Sequence, residues 1–201
     1  PDGRPYDDAA AMSRALIAAA RETGIRMTLL PVLYMTGGFD GRPLNERQRR
    51  FGHDVDGYLR LFDTLHREQN DTLRVGCALH SLRAVPPEAM SAALAALPAG
   101  TPLHIHIAEQ IGEVQDSLAL RGARPVEWLL ANADVGERWT LVHATHLDDG
   151  EIAGIRGSEA IASRSTTRWS GNSSGNPLSG VILLIGGSQT SGHSARGALV
   201  A

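Results

Sequence analysis

Helix-period segments and short, continuously apolar segments alternate along this chain. Met12, Leu16, Ile17 and Ala20 recur at helical spacing behind Asp7 or Asp8 as a cap, and Gly24 is placed to end the helix. The run 25–34 is apolar and rich in β-formers, so it reads as a buried strand. Gly37, Gly38, Gly41 and Pro43 mark a long loop, after which Val55, Leu59, Phe62 and Leu65 share one helical face. Residues 73–79 make the second predicted strand. Pro86 and Pro87 open a helix through Met90, Leu94 and Leu97, which Pro98-Ala99-Gly100 stops before a third strand at 103–107. A helix then runs from Glu109 with Ile111, Val114 and Leu118 on one side, and Pro125 starts another through Trp128 and Leu129. Residues 139–142 form a fourth strand ending in His143, followed by a short helix at 148–155 and a strand stub at 160–162. Strands alternating with helices predict parallel βα units, and the fold class expected is α/β, a partial (β/α)8 TIM-type barrel.

Length explains why the barrel is expected to be partial: 201 residues suffice for one substantial core but not for the roughly 250 of a complete eight-stranded barrel. Two regions are expected, a barrel body at 1–162 and a divergent tail at 163–201. All 22 acidic residues lie before position 160, and Ser, Gly, Thr and Asn dominate beyond it. Only 181–185 has the apolar run of a strand there, so the tail buries too little to offset its ordering entropy and is expected to be poorly ordered. The abrupt loss of acidic residues points to a terminus unrelated to the body, through frameshift or rearrangement. A formal net charge of -3 offers no basic face and sets nucleic acid aside as a partner. No apolar run approaches the roughly 20 residues of a membrane helix, and the first residues lack a secretory signal, so no membrane partner is expected. The single Cys77 fits a reducing cytoplasm, the expected location, and its apolar setting predicts a buried, inert thiol.

Three predicted strand ends carry polar groups: His80 with Arg83, His106 with Glu109, and His143 with His146. In a parallel barrel such ends converge on one face. A neutral imidazole can bind a divalent metal, a carboxylate can shuttle protons, a second imidazole can polarise the substrate, and the Arg83 fork suits a carboxylate. Strand alternation puts His104 and His106 on one face, with His104 deeper and expected in the core. His146 reads as solvent-facing or secondary, and Glu113, one turn beyond Glu109, as part of a solvated helix face. His53, His66 and His193 read as structural or surface groups, and Arg47-Gln48-Arg49-Arg50 as a solvated face.

The sequence His106-Ile107-Ala108-Glu109 followed by a helix, then Leu141-Val142-His143-Ala144-Thr145-His146, resembles strands five and six of the amidohydrolase superfamily. Together with Leu79-His80-Ser81-Leu82-Arg83 and Leu29-Leu30-Pro31-Val32-Leu33-Tyr34, it resembles the formimidoylglutamate deiminases over about residues 1 to 162. That resemblance implies a zinc-dependent barrel that hydrolyses N-formimidoyl-L-glutamate to N-formyl-L-glutamate and ammonia, a step of histidine degradation. It makes His106 a metal ligand and Glu109 and His143 the catalytic pair, with Glu109 moving protons and His143 hydrogen-bonding the water or the tetrahedral centre. His80 and Arg83 would bind the glutamate portion of a small, carboxylated substrate. The family also takes zinc ligands from a His-x-His after strand one and an Asp after strand eight. The only His-x-His here is His104 and His106, which fits strand five, and no Asp follows Asp149.

The chain is therefore expected to be an internal piece of such a deiminase, showing no appreciable hydrolysis by itself even with added zinc. Two other readings stand beside it. One keeps the superfamily but makes the substrate an aminated purine or pyrimidine, against which Arg83 argues. The other is a non-catalytic βα scaffold or binding fragment whose open strand edges pair with another chain, including a homo-oligomer.

Overall fold

The computed structural model of the chain describes residues 6–163 and, as backbone, Gly180–Ile185. The expected disorder beyond residue 162 falls outside the described residues except at Ser163 and that strand, which covers the one tail segment expected to be extended.

Helix α1 (Ala11–Thr23) ends as its sequence requires: Gly24 adopts a left-handed φ of 73° and its amide returns to the Ala20 and Arg21 carbonyls. At the other end Ala10, not Asp7 or Asp8, is the N-cap. The Asp8 carboxylate instead accepts from the Ala10 amide at 2.9 Å, shaping the turn that leads in. Strand β1 (Arg26–Leu33) follows, then a four-residue helix α2 (Glu46–Arg49) that sequence periodicity is too short to reveal. Helix α3 (Val55–His66) starts on Asp54, whose side chain accepts from the Gly57 amide at 2.7 Å, and buries Tyr58, Leu61, Phe62 and Leu65.

The single strand expected at 73–79 is divided into β2 (Leu73–Val75) and β3 (Cys77–Ser81). Gly76 sits between them because a β-carbon there would lie 2.6 Å from Leu30 Cδ2 and 2.8 Å from the Pro102 carbonyl oxygen. Beyond come α4 (Pro87–Ala96), β4 (Leu103–Ile107), α5 (Ile111–Arg121), α6 (Pro125–Asn132), β5 (Trp139–His143), α7 (Asp149–Ser158), β6 (Ile161–Ser163) and β7 (Gly180–Ile185).

Every strand pairing in the sheet is parallel. β2 and β3 meet successive parts of β1, at 27–29 and 32–33, and the order then runs β3, β4, β5, β6. β7 pairs with β1 over Arg26 to Pro31, the stretch β2 also meets, so the two flank β1 on opposite sides. Leu29, Leu33, Leu79, Ile105, Ile107, Trp139 and Leu141 face the helices, packing with Phe62, Leu65, Met90, Val114 and Leu129 in the main core. Alternation turns Leu30, Val32, Ala78, His80, His104, His106 and Thr140 to the other, concave face. Leu30, Val32 and Ala78 form a small separate cluster there. Cys77 is fully buried and burial pushes its thiol up to about 12, which makes it the inert group its context predicts.

Candidate active site

The carboxyl ends of β3, β4 and β5 lie side by side, and four of the side chains singled out in the sequence meet there. His80 is buried and stacks on Tyr34, with ring centroids 4.1 Å apart and planes within 15°. The His106 ring stands edge-on to His80 at 5.5 Å and stacks against His143 at 5.3 Å. Glu109 Oε1 is 3.8 Å from His143 Nε2, too long for a hydrogen bond but close enough for an ion pair when the imidazole is protonated. Both groups are half-buried, so they remain open to a ligand. Arg83 donates one long hydrogen bond, from Nη1 to the Gly37 carbonyl at 3.4 Å, and its charge acts on Tyr34, His106 and Glu113.

Strand alternation by itself would not build this arrangement. Residue 143 shares the parity of Trp139 and Leu141, and residue 109 that of Ile105 and Ile107, all of which face the helices. Both are redirected by left-handed backbone at non-glycine positions: Ala108 has φ 49°, His143 71° and Ala144 44°. Such residues cost of order 1–3 kcal/mol each and persist where their surroundings over-determine them. Here the Ala108 carbonyl accepts the amides of Thr145 and His146 at 3.1 and 3.0 Å, and the Ile107 carbonyl accepts that of Ala144 at 3.0 Å. The ends of β4 and β5 are thereby locked to each other.

The tautomer of His106 follows from its partner. Nδ1 lies 2.9 Å from the His80 carbonyl oxygen, which only accepts, so Nδ1 carries the proton and Nε2 presents a lone pair. Burial holds this imidazole below its usual range, and the charges of His143 and Arg83 push the same way, against the His80 hydrogen bond and Glu109. His106 is thus a neutral ring suited to a cation. No group of three or more His, Cys, Asp or Glu side chains among the described residues is arranged to hold a metal, however. These residues offer one oriented imidazole where zinc needs about three or four protein ligands, so they do not by themselves fit a zinc centre.

Three contributors escaped the sequence reading. Glu113 is half-buried rather than on a solvated face, and its two oxygens accept the amides of Ala108 and Glu109, each at 3.0 Å. Gln48, in what reads as a charged exposed run, is buried and accepts the Asn45 amide at 3.0 Å. Tyr34 is fully buried, and its hydroxyl has no hydrogen-bond partner among the described residues, although Arg83 and Gln48 lie near enough to favour its ionised form. Burial outweighs both and pushes the phenol up. Of the remaining histidines, His104 is buried as expected, His66 stacks on Phe62 at 5.3 Å, and the carbonyl of half-buried His146 accepts from Arg124 at 2.7 Å. His193 lies outside the described residues. A separate hollow of about 380 Å³ between α1, β1 and α3, lined by Ser13, Val32, His53 and Arg60, contains none of the strand-end groups.

The strand order and the positions of these groups define part of a (β/α)8 barrel of the amidohydrolase superfamily. Within that class the chain is 46% identical over 162 residues to the formimidoylglutamate deiminase of Pseudomonas aeruginosa, a match covering 80% of this chain and 36% of that protein. A crystal structure of an amidohydrolase from Brucella melitensis superposes with a TM-score of 0.76 at 44% identity, again over 80% of this chain and 36% of the other. A 5-methylthioadenosine/S-adenosylhomocysteine deaminase of Shouchella clausii is 29% identical over 135 residues, 66% of this chain and 29% of that protein. An atrazine chlorohydrolase variant of Arthrobacter aurescens, complexed with zinc and atraton, shares the fold at a TM-score of 0.66 and 22% identity over 79% of this chain and 35% of its own. No family profile matches the chain. The chain therefore spans little more than a third of the length of the Pseudomonas deiminase and of the Brucella amidohydrolase. No helix among the described residues is long and apolar enough to cross a membrane.

Proposed function

We propose that this chain carries the proton-handling and carboxylate-binding part of a formimidoylglutamate deiminase site. The convergence of His80, His106, His143 and Glu109 on one rim carries this reading, and the 46% identity to a protein of that name supports it. Hydrolysis of N-formimidoyl-L-glutamate forms a C–O bond at the imine carbon and breaks the C–N bond as ammonia leaves. Two protons leave the attacking water oxygen and both end on the departing nitrogen, one as the tetrahedral centre forms and one as it collapses. Glu109, half-exposed at the rim, is the group assigned to both. His143, within ion-pair distance of it, is assigned to stabilise charge on the attacking oxygen, and Arg83 to pair with a substrate carboxylate, beside His80. Zinc is proposed for the complete site, with His106 Nε2 as one ligand. The cytoplasm, where such a metabolite is processed, is the proposed compartment, and the strand edges are proposed to allow self-association.

The deaminase relative with an adenosine-type substrate supplies the competing reading. Titration of the labelled chain with N-formyl-L-glutamate, its diamide, and adenosine, followed by amide chemical shifts, separates the two. N-formyl-L-glutamate is expected to perturb the strand ends at 80–83, 106–109 and 143–146, with the diamide binding at least about tenfold more weakly because one charge-assisted hydrogen bond is worth roughly 1.5–3 kcal/mol. Stronger perturbation by adenosine would favour the purine reading and reject this one.

A further inference from the structure

We propose that Glu113 is a positioning residue for Glu109, clamping the turn that aims it at His143. The argument starts from the helix it belongs to. α5 begins at Ile111 with Gln110 as N-cap, and no side chain caps it. Glu113 thus occupies the third helical position, where an acidic residue ordinarily reaches back to the N-cap amide or simply favours the positive end of the helix. It does neither alone. Its two oxygens pass the N-cap and accept the amides of the two residues before it, Glu109 from Oε2 and Ala108 from Oε1, each at 3.0 Å. One carboxylate therefore fixes two successive peptide units, and one of these belongs to the left-handed Ala108.

The opposite side of the same turn is held by the carbonyl of Ala108, which accepts from Thr145 and His146. Ala108 is thus gripped through its amide by α5 and through its carbonyl by the loop after β5. This grip sustains a φ of 49° at a residue with a β-carbon and turns residue 109 away from the helix-facing side that Ile105 and Ile107 occupy. A helix-start carboxylate with a merely local role would leave the direction of Glu109 unchanged. Burial raises the carboxyl of Glu113, opposed by its two amide donors and by Arg83, which marks it as a partly desolvated group and not a solvated surface acid.

The catalytic consequence rests on the reading of Glu109 as the proton-moving group, but the geometry can be tested without it. In the unsubstituted chain, a long-range HNCO spectrum is expected to correlate the Ala108 and Glu109 amides with the single side-chain carboxyl carbon of Glu113. In Glu113→Gln, which keeps one acceptor oxygen and replaces the other by a donor, at most one correlation is expected to survive. The Glu109 χ1 couplings should then change from those of one rotamer to an average. Glu127→Gln, which alters the equivalent carboxylate at the start of α6 bonded to the Arg124 amide, is expected to leave the Glu109 couplings as they are. Absence of the two correlations in the unsubstituted chain overturns the proposal, as does an unchanged Glu109 rotamer in Glu113→Gln. If the clamp is observed and N-formyl-L-glutamate still fails to perturb the rim, the functional reading fails while the positioning role stands.

Discussion

Glu151→Ala is expected to destabilise the chain by about 1–3 kcal/mol, the cost of leaving buried donors without their acceptor. Glu151 is 3% exposed, and the partners of its carboxylate explain why that burial is tolerated. Oε1 accepts the Val126 amide at 3.0 Å, and Oε2 accepts the Asp148 amide at 3.1 Å and Arg124 Nε at 2.8 Å. One carboxylate thus joins the start of α6 to the start of α7. Arg124 extends the node by donating from Nη2 to the His146 carbonyl at 2.7 Å, so the loop after β5 hangs on the same network. Alanine would leave the Val126 and Asp148 amides without this acceptor and reduce the carboxylate partners of Arg124 to Asp148, 3.0 Å from Nε. Denaturant unfolding measures the effect. A loss below about 1 kcal/mol, the range of exposed ion pairs, would show that the node is solvated and that this description of it is wrong.

The second large effect falls on binding. Arg83→Met is expected to weaken N-formyl-L-glutamate by roughly 10- to 100-fold, the equivalent of one charge-assisted contact at about 1.5–3 kcal/mol, while the fold is retained. Retention is expected because the guanidinium's bond to the Gly37 carbonyl is long, at 3.4 Å, and methionine fills a similar volume. Titration calorimetry of the two forms decides the matter, and less than a twofold change would remove Arg83 from the carboxylate subsite.

Much of this fold is written locally. The alternation in Leu103–Ile107 already separates His104 and His106 from Ile105 and Ile107, and β4 presents them on opposite faces as read. Gly24 and Asp148 act at helix ends where their chemistry predicts, Asp148 through a capping box with Glu151. What local pattern misses is contact between distant segments. Gly76 looks like an ordinary residue in an apolar run, and only the approach of Leu30 and Pro102 shows why a side chain is excluded and the strand divides. The tie from Arg124 to Glu151 spans 27 positions and has no periodic signature.

The site was legible in its residues but not in its geometry. His80, His106, Glu109 and His143 could be named because each ends an apolar strand, yet alternation points two of them the wrong way. Their rescue lies in left-handed backbone at Ala108, His143 and Ala144, positions without the glycine that usually signals it. Glu113 was misplaced for a related reason: a helix taken to start at Glu109 puts it on an outer face, whereas a start at Ile111 places it in the first turn, reaching backward. An acidic residue three positions into the helix was the available signal.

Whether the ends of β3, β4 and β5 form one binding pocket is measured most directly by imidazole NMR of the chain during addition of N-formyl-L-glutamate. The ring resonances of His80, His106 and His143 are expected to move together with a single half-saturation concentration, while those of His53 and His66 stay in place. Separate responses at His106 and His143, or an equal response at His66 on α3, would contradict a shared pocket and with it the proposed chemistry.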